Sequence, residues 1–321
     1  MVDRHPPNHR TLSHTRMNRP PTSGDRARGL LQLLRPANVA TSLADVLAGA
    51  AVAGLPFSSR LTWLLLATAA LYAGGIVLND FFDREIDRRE RPERPIPSGR
   101  VEPVLAATLG GGLLLAGIGA ASLAGAVPAL VALAIALTVL SYDCWGKHQV
   151  FLGPINMGTC RALNLMLGMS AVAGTITTYW PLGLIPLIYI SAVTVVSRGE
   201  VHGSRRPVLL LGLSLVTSVV IGLACLSWSP WPAAAVSSLE SSRVWALGVT
   251  AWLAWRILPA FWRAWADPSP GPIRNAVRTG VLALVLVDTV IATAYAGIIY
   301  GLAVLAAGLL AWSLARLFAV T

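Results

Sequence analysis

The chain has 321 residues, 55% of them hydrophobic and 12% charged, with a mean hydropathy of +0.64. A soluble domain carries about 25% charged residues, so this composition excludes an ordinary water-soluble enzyme, and the high apolar content excludes a disordered chain. Lys and Arg outnumber Asp and Glu by 25 to 15, yet the basic residues fall between apolar runs, which reads as membrane topology and not as a nucleic-acid surface.

Residues 1–29 are rich in Arg, Pro, His, Asn, Ser and Thr. No apolar stretch of signal-peptide length follows them. They read as a disordered, basic, cytoplasmic tail, with Met17 as an alternative start, and the membrane domain as 30–321. The apolar segments are 38–57, 61–82, 104–125, 127–142, 153–175, 180–197, 207–228, 244–265, 277–297 and 300–319. At ~20 residues per span they predict an all-α transmembrane bundle. The last two nearly merge at Tyr300-Gly301, so both nine and ten spans fit. Pro128, Pro154, Pro181, Pro186 and Pro259 lie inside or beside these segments, which a membrane bundle tolerates because neighbouring helices and local water satisfy the freed backbone. Small residues at four-residue spacing, such as Gly117, Ala121 and Gly125, allow close helix contact.

With the N-terminus inside, connections 83–103, 143–152, 198–206 and 266–276 are cytoplasmic, and the outer loops hold only Arg60 and Arg243. That asymmetry places the polar loops on the cytoplasmic side of a cell membrane. Trp63, Trp180, Trp228, Trp231, Trp245, Trp262 and Trp265 fall near segment ends, as interfacial anchors do. Cys144, Cys160 and Cys225 have neither metal nor disulfide spacing and read as packing residues.

The chemistry concentrates where the second segment ends, at Asn79-Asp80-Phe81-Phe82-Asp83-Arg84-Glu85-Ile86-Asp87. If the helix runs on, Asp80, Asp83 and Asp87 are spaced i, i+3, i+7 and share one face. Three carboxylates at a membrane boundary repel, and a hard divalent cation offsets that repulsion. Mg²⁺ is typically held by one or two carboxylates plus substrate phosphates, so the row reads as a Mg²⁺–diphosphate site with Asn79 adding an amide oxygen. A solvated loop of surface ion pairs accounts for Glu85, Glu90 and Glu93 but not for Asn79 and Asp80 at the end of an apolar span. The stiff turn Arg94-Pro95-Ile96-Pro97-Ser98-Gly99-Arg100 carries two cations suited to phosphate oxygens.

This pattern, N-D-x-x-D-x-x-x-D followed by R-P-I-P-S-G, resembles the first signature of the UbiA superfamily of intramembrane prenyltransferases. The resemblance extends to Leu34-Arg35-Pro36-Ala37-Asn38, to Tyr142-Asp143 with Lys147, to Gly153-Pro154, and to Met157-Gly158 with Cys160-Arg161 and Leu163-Asn164. It implies a helical bundle around a central lipid-accessible cavity. It further implies a polyprenyl diphosphate held through Mg²⁺ on two Asp-rich cytoplasmic loops, and an acceptor, here unspecified and possible as an aromatic, that captures the allylic cation. On the residues matched, the metal ligands are Asn79, Asp80, Asp83 and Asp87, and the diphosphate contacts are Arg94, Asn38, Arg161 and Asn164, to which the loop after the sixth segment adds Arg198 and Arg205 outside the match. Tyr142 and Lys147 on the matched residues, and Glu200 in the loop that departs from the family, are the catalytic candidates.

The second signature departs from the family. Its place is taken by Ser197-Arg198-Gly199-Glu200-Val201-His202-Gly203-Ser204-Arg205-Arg206, with one carboxylate and one imidazole, and no Asp occurs between Asp143 and Asp267. Either Arg198, Arg205 and Arg206 replace a second metal's charge, or His202 acts as a base or an unusual ligand. This R-G-E-V-H-G form resembles the EboC branch of the superfamily, found with the ebo gene cluster. Two functions follow: a membrane prenyltransferase, or a UbiA-like protein of an ebo-type secondary-metabolite pathway that binds or carries an isoprenoid without transferring it. A conventional transporter fits less well, because no repeat is visible. The D-G-x-x-A-R opening of CDP-alcohol phosphotransferases is absent.

Overall fold

A computed structural model describes residues 22–228 and 239–318. Among the described residues the chain is helical throughout, with no strand. The helices are α1 (Ser23–Leu34), α2 (Pro36–Val52), α3 (Ser59–Phe82), α4 (Arg84–Glu90), α5 (Pro103–Ala124), α6 (Ala126–Cys144) and α7 (Leu152–Met169). They continue as α8 (Thr175–Tyr179), α9 (Leu184–Ser197), α10 (Arg206–Trp228), α11 (Leu239–Ala266), α12 (Pro270–Ala296) and α13 (Ile298–Phe318). Each of the ten predicted apolar segments overlaps one of these helices. Among the described residues seven spans, taking Thr175–Ser197 as one across α8 and α9, are long and apolar enough to cross a bilayer. The protein is a multi-pass membrane protein.

Two local expectations change. Residues 22–29, read above as tail, are ordered. Thr22 caps α1 by accepting from the Asp25 amide, while the Asp25 carboxylate accepts from the Thr22 amide at 3.1 Å. This reciprocal capping box satisfies two otherwise orphaned donors. Residues 1–21 and Trp231 lie outside the described residues. The prolines are also placed more economically than a tolerance argument needs. Pro128, Pro154 and Pro186 are each the third residue of their helix, and Pro181 is the second residue of a short 3-10 turn, Trp180–Gly183. In a first turn the backbone N–H has no intrahelical partner to lose. Only Pro259 lies inside a helix, α11.

The bundle has a clear inside and outside. α12 is the central helix, almost continuously buried from Ala283 to Tyr295, whereas α5, α6 and α10 turn most of their surface outward. α12 packs on α2, α9, α11 and α13, and α2 also packs on α7. Lipid tails give no hydrophobic drive between helices, so association rests on close packing. The α2–α7 contact shows this at its extreme. A Cβ on Gly49 would stand 2.0 Å from the Leu165 carbonyl oxygen, and one on Gly168 would stand 2.2 Å from the Val46 oxygen. The two glycines let the backbones touch. They sit one turn from Asp45 on α2 and Asn164 on α7, and so set the spacing of the polar cluster described below.

Candidate active site

The acidic face begins at the end of α3. The helix bends at Asp83 (φ −84°, ψ −1°) and resumes as α4. Hydrogen bonding runs through the bend: the Asp83 amide donates to the Asn79 oxygen at 2.9 Å and the Asp87 amide to the Asp83 oxygen at 2.8 Å. Asp80 and Asp87 are buried and Asp83 is half-buried.

Each aspartate has a cation. Arg35 donates to Asp80 Oδ1 at 2.6 Å. Arg94 bridges Asp80 Oδ1 at 3.3 Å and Asp87 Oδ2 at 2.6 Å. Lys147 Nζ lies 2.5 Å from Asp83 Oδ1. Asn79 Nδ2 donates to Asp143 Oδ1 at 2.8 Å, leaving the Asn79 amide oxygen free and Asp143 Oδ2 buried without a donor. Four carboxylates, those of Asp80, Asp83, Asp87 and Asp143, thus face three cations, Arg35, Arg94 and Lys147.

Arg35 is the residue that motif reasoning left without a role. It lies between α1 and α2 in the left-handed region (φ 43°, ψ 64°) with Pro36 opening α2. Such a conformation costs a non-glycine residue about 1–2 kcal/mol. The sharp turn swings its guanidinium onto Asp80. The available signal was the Arg-Pro pair entering the first segment.

Behind this acidic mouth lies a cavity of about 290 Å³. Arg35, Asn38, Asn79, Tyr142 and Asp143 line its outer part; Leu71, Gly75, Ile76, Ile135, Val139 and Met157 give it an apolar wall. Tyr72, Thr68, Arg161 and Asn164 form its inner polar wall. Along α3, Tyr72 and Thr68 lie about 12 and 18 Å below Asp80. Arg161 is buried there, its NH1 donating to Asp45 Oδ2 at 2.6 Å and its NH2 to Thr41 Oγ1 at 3.1 Å and Tyr72 Oη at 3.0 Å. Asn164 Nδ2 donates to the same Asp45 oxygen at 2.7 Å and to the Ser42 carbonyl at 2.9 Å, and Thr68 Oγ1 donates to Asn164 Oδ1 at 2.6 Å. The sequence reading grouped Arg161 and Asn164 with the diphosphate contacts. The structure places them at depth, already committed to Asp45.

The loop after α9 supplies the second polar segment. Glu200 is half-buried, and burial raises its carboxyl above the usual carboxylate range, while Arg274 and then Arg91 pull it back down. Arg91 follows α4, so this loop faces the first motif. Arg198 donates to the Gln149 carbonyl at 2.5 Å and to that of Lys147 at 3.4 Å. It ties this loop to the one bearing Lys147. Arg205 and His202 are exposed.

Among the described residues, no group of three His, Cys, Asp or Glu side chains converges to hold an ion unaided. The donor set fits Mg²⁺ in another way. Carboxylate oxygens beside a free Asn79 amide oxygen suit a hard cation that takes its remaining ligands from water and phosphate.

The sequence profile of the UbiA prenyltransferase family matches residues 42–275. The digeranylgeranylglyceryl phosphate synthase of Methanothrix thermoacetophila is 33% identical over 172 residues, covering 53% of this chain and 62% of the relative. That match spans less than two-thirds of the relative's length. The synthase of the same name from Natronomonas pharaonis is 27% identical over 269 residues, covering 77% and 91% of the two chains. A solved UbiA homologue from Archaeoglobus fulgidus, bound to GPP and Mg²⁺, shares the fold with a TM-score of 0.63 at 15% identity, covering 87% of this chain and 99% of that one.

Proposed function

The chain belongs to the UbiA prenyltransferase family, and on that premise we propose that it moves an isoprenoid chain from a polyprenyl diphosphate to a small acceptor, with the diphosphate held at the acidic mouth. The observation that carries this reading is the set of exchangeable ion pairs there. Asp80, Asp83 and Asp87 are each held by a cation that itself suits phosphate. When a diphosphate enters, Arg35, Arg94 and Lys147 can turn from carboxylate to phosphate oxygens. The aspartates and the Asn79 oxygen are then free to hold Mg²⁺, which would supply positive charge to neutralise the leaving diphosphate.

The remaining parts follow from position. The apolar wall of Leu71, Ile76, Ile135 and Val139 excludes water from the prenyl chain. Tyr142 and Asp143, at the cavity's outer end, are placed to contact the acceptor or take its proton, the Asp143 oxygen without a donor being the better acceptor. Glu200 supplies the only carboxylate of its loop and faces Arg91 across the mouth. Arg198 acts indirectly, by fixing the backbone that presents Lys147. We assign the N-terminus and both polar loops to the cytoplasm from the distribution of arginines.

The test is diphosphate release from a panel of labelled prenyl diphosphates in membranes, with and without Mg²⁺. Release that needs Mg²⁺ and is lost in Asp80→Ala and Asp83→Ala, with membrane insertion intact, supports transfer. Equal release by both variants removes the metal-site argument. Binding without release favours the second reading, an ebo-type protein that holds an isoprenoid untransformed. The single carboxylate of the α9–α10 loop is the observation in its favour.

A further inference from the structure

The polar cluster at the cavity floor contains one carboxyl that the prenyl-transfer reading does not use. Asp288, in the middle of α12, is 0% exposed, as is Asp45 on α2. α12 packs on α2 and brings the two carboxyl groups within reach of one another, with Arg161 the next charged neighbour. Neither oxygen of Asp288 and not Asp45 Oδ1 receives a hydrogen bond.

The nearby donors are spent elsewhere. Arg161 uses NH1 on Asp45 and NH2 on Thr41 and Tyr72. Asn164 uses its amide on Asp45 and the Ser42 carbonyl. Tyr189, which faces Asp288 from α9, donates to the Gly280 carbonyl at 2.7 Å. Thr289 donates to its own helix at the Val285 carbonyl, 2.7 Å away. Two ionised carboxylates beside one guanidinium would leave a buried, unpaired negative charge inside the membrane. Such a charge is costly to hold in the middle of a membrane. One proton removes it and supplies the missing donor at once.

We propose that Asp288 is a protonated carboxylic acid that donates to Asp45 Oδ1, completing an Asp288–Asp45–Arg161 chain that fixes the guanidinium in the cavity wall. The three groups then sum to zero charge: one acid, one carboxylate, one guanidinium. Asp45 Oδ1 accepts from Asp288, and Asp45 Oδ2 accepts from Arg161 and Asn164. Asp288 is thereby a positioning residue. It acts on the cavity only through Asp45, and that part of the proposal rests on the prenyl-transfer reading, whereas the protonation does not.

The experiment uses the full chain purified in detergent at neutral pH. Infrared spectroscopy should show the C=O stretch of a buried protonated carboxylic acid, and Asp288→Asn should remove it. Because an amide can donate where the acid did, Asp288→Asn should melt at the wild-type temperature, while Asp288→Ala and Asp45→Asn should both melt lower. Asp45→Asn takes the carboxylate from Arg161, so it should melt lowest. Should Asp288→Ala fail to fold, the comparison of Asp288→Asn with Asp45→Asn still decides. An absent acid band, or an Asp288→Asn protein that melts as low as Asp45→Asn, overturns the proposal. So does a wild-type melting temperature that rises with sodium chloride but not with choline chloride, since a bound cation would then balance the pair. None of these readouts needs turnover, so a protein that releases no diphosphate leaves them interpretable.

Discussion

The mouth of the cavity and its floor use the same residue types in opposite ways. At the mouth, Asp80, Asp83 and Asp87 meet Arg35, Arg94 and Lys147; Arg35 and Arg94 keep 26% and 21% of their side-chain surface exposed, while the Lys147 ammonium is buried. At the floor, Asp45, Asp288 and Asn164 meet Arg161, and all four are buried. An ion pair whose cation keeps access to water trades partners at less cost than one sealed from it, because the released cation can be solvated. A fully buried pair cannot trade them so, because breaking it strands a charge in a medium that does not solvate it. The comparison separates charges that can be handed to a substrate from charges that hold the cavity's shape.

The largest effect should come from breaking the floor. Asp45→Ala leaves Arg161 buried without its carboxylate, and removal of one partner of such a pair costs about 3–5 kcal/mol. The variant should insert into membranes but lose its cooperative melting transition in detergent. A melting temperature equal to wild type would mean that the floor is as exchangeable as the mouth, and the distinction would fall.

The mouth should respond in activity. Asp80→Asn keeps size and shape but gives up charge. It should lower Mg²⁺-dependent diphosphate release on the order of 10²–10³-fold, the range seen when one preorganised electrostatic contact is lost. Its melting temperature should stay near wild type, because Arg35 and Arg94 are partly exposed and can be solvated. A loss of stability as large as that of Asp45→Ala would sink the idea of an exchangeable mouth. Removing Mg²⁺ with a chelator should copy the activity loss without the mutation.

Packing should matter less than either charge. Gly49→Ala adds a methyl that would meet the Leu165 carbonyl at 2.0 Å, so α2 and α7 must move apart. Overpacking of this kind costs about 1–3 kcal/mol, and here it would also stretch the Asp45–Arg161 contact at 2.6 Å. Thermal melting of Gly49→Ala beside Gly112→Ala, whose added methyl meets nothing, isolates that effect.

These two regions were not equally legible in the sequence. The acidic row could be read because helical spacing at the end of an apolar run is a local pattern, and the structure carries helical hydrogen bonding through Asp83. The ten apolar segments could be read for the same reason. The cations that meet the aspartates come from 14 residues away, as in Arg94, or 45, as in Arg35, and no local pattern joins them. Asp45 and Arg161 are 116 residues apart, and their meeting depends on two glycines on different helices. The end of the 1–29 segment differs for another reason: a capping box between Thr22 and Asp25 opens α1 within a stretch whose composition alone reads as disordered.

The smallest predicted effect lies between the two regions, at Glu200. It is half-buried and faces Arg274 and Arg91, and burial sets its carboxyl above the usual carboxylate range. If the ionised form is the one that helps orient Arg91 at the mouth, diphosphate release should fall as pH drops through that raised value, because the carboxylate takes up its proton there. Above that value the carboxylate is formed and the contribution is complete. Glu200→Gln fixes the neutral state, so it should lower the neutral-pH rate by about tenfold or less, equivalent to about 1.4 kcal/mol, and flatten the acid limb of the profile. A variant that keeps both the wild-type rate and the wild-type acid limb would show that the second loop contributes no titrating group, leaving transfer to the first motif alone. A loss as large as that of Asp80→Asn would move Glu200 from the edge of the mouth into the set of groups that hold the metal.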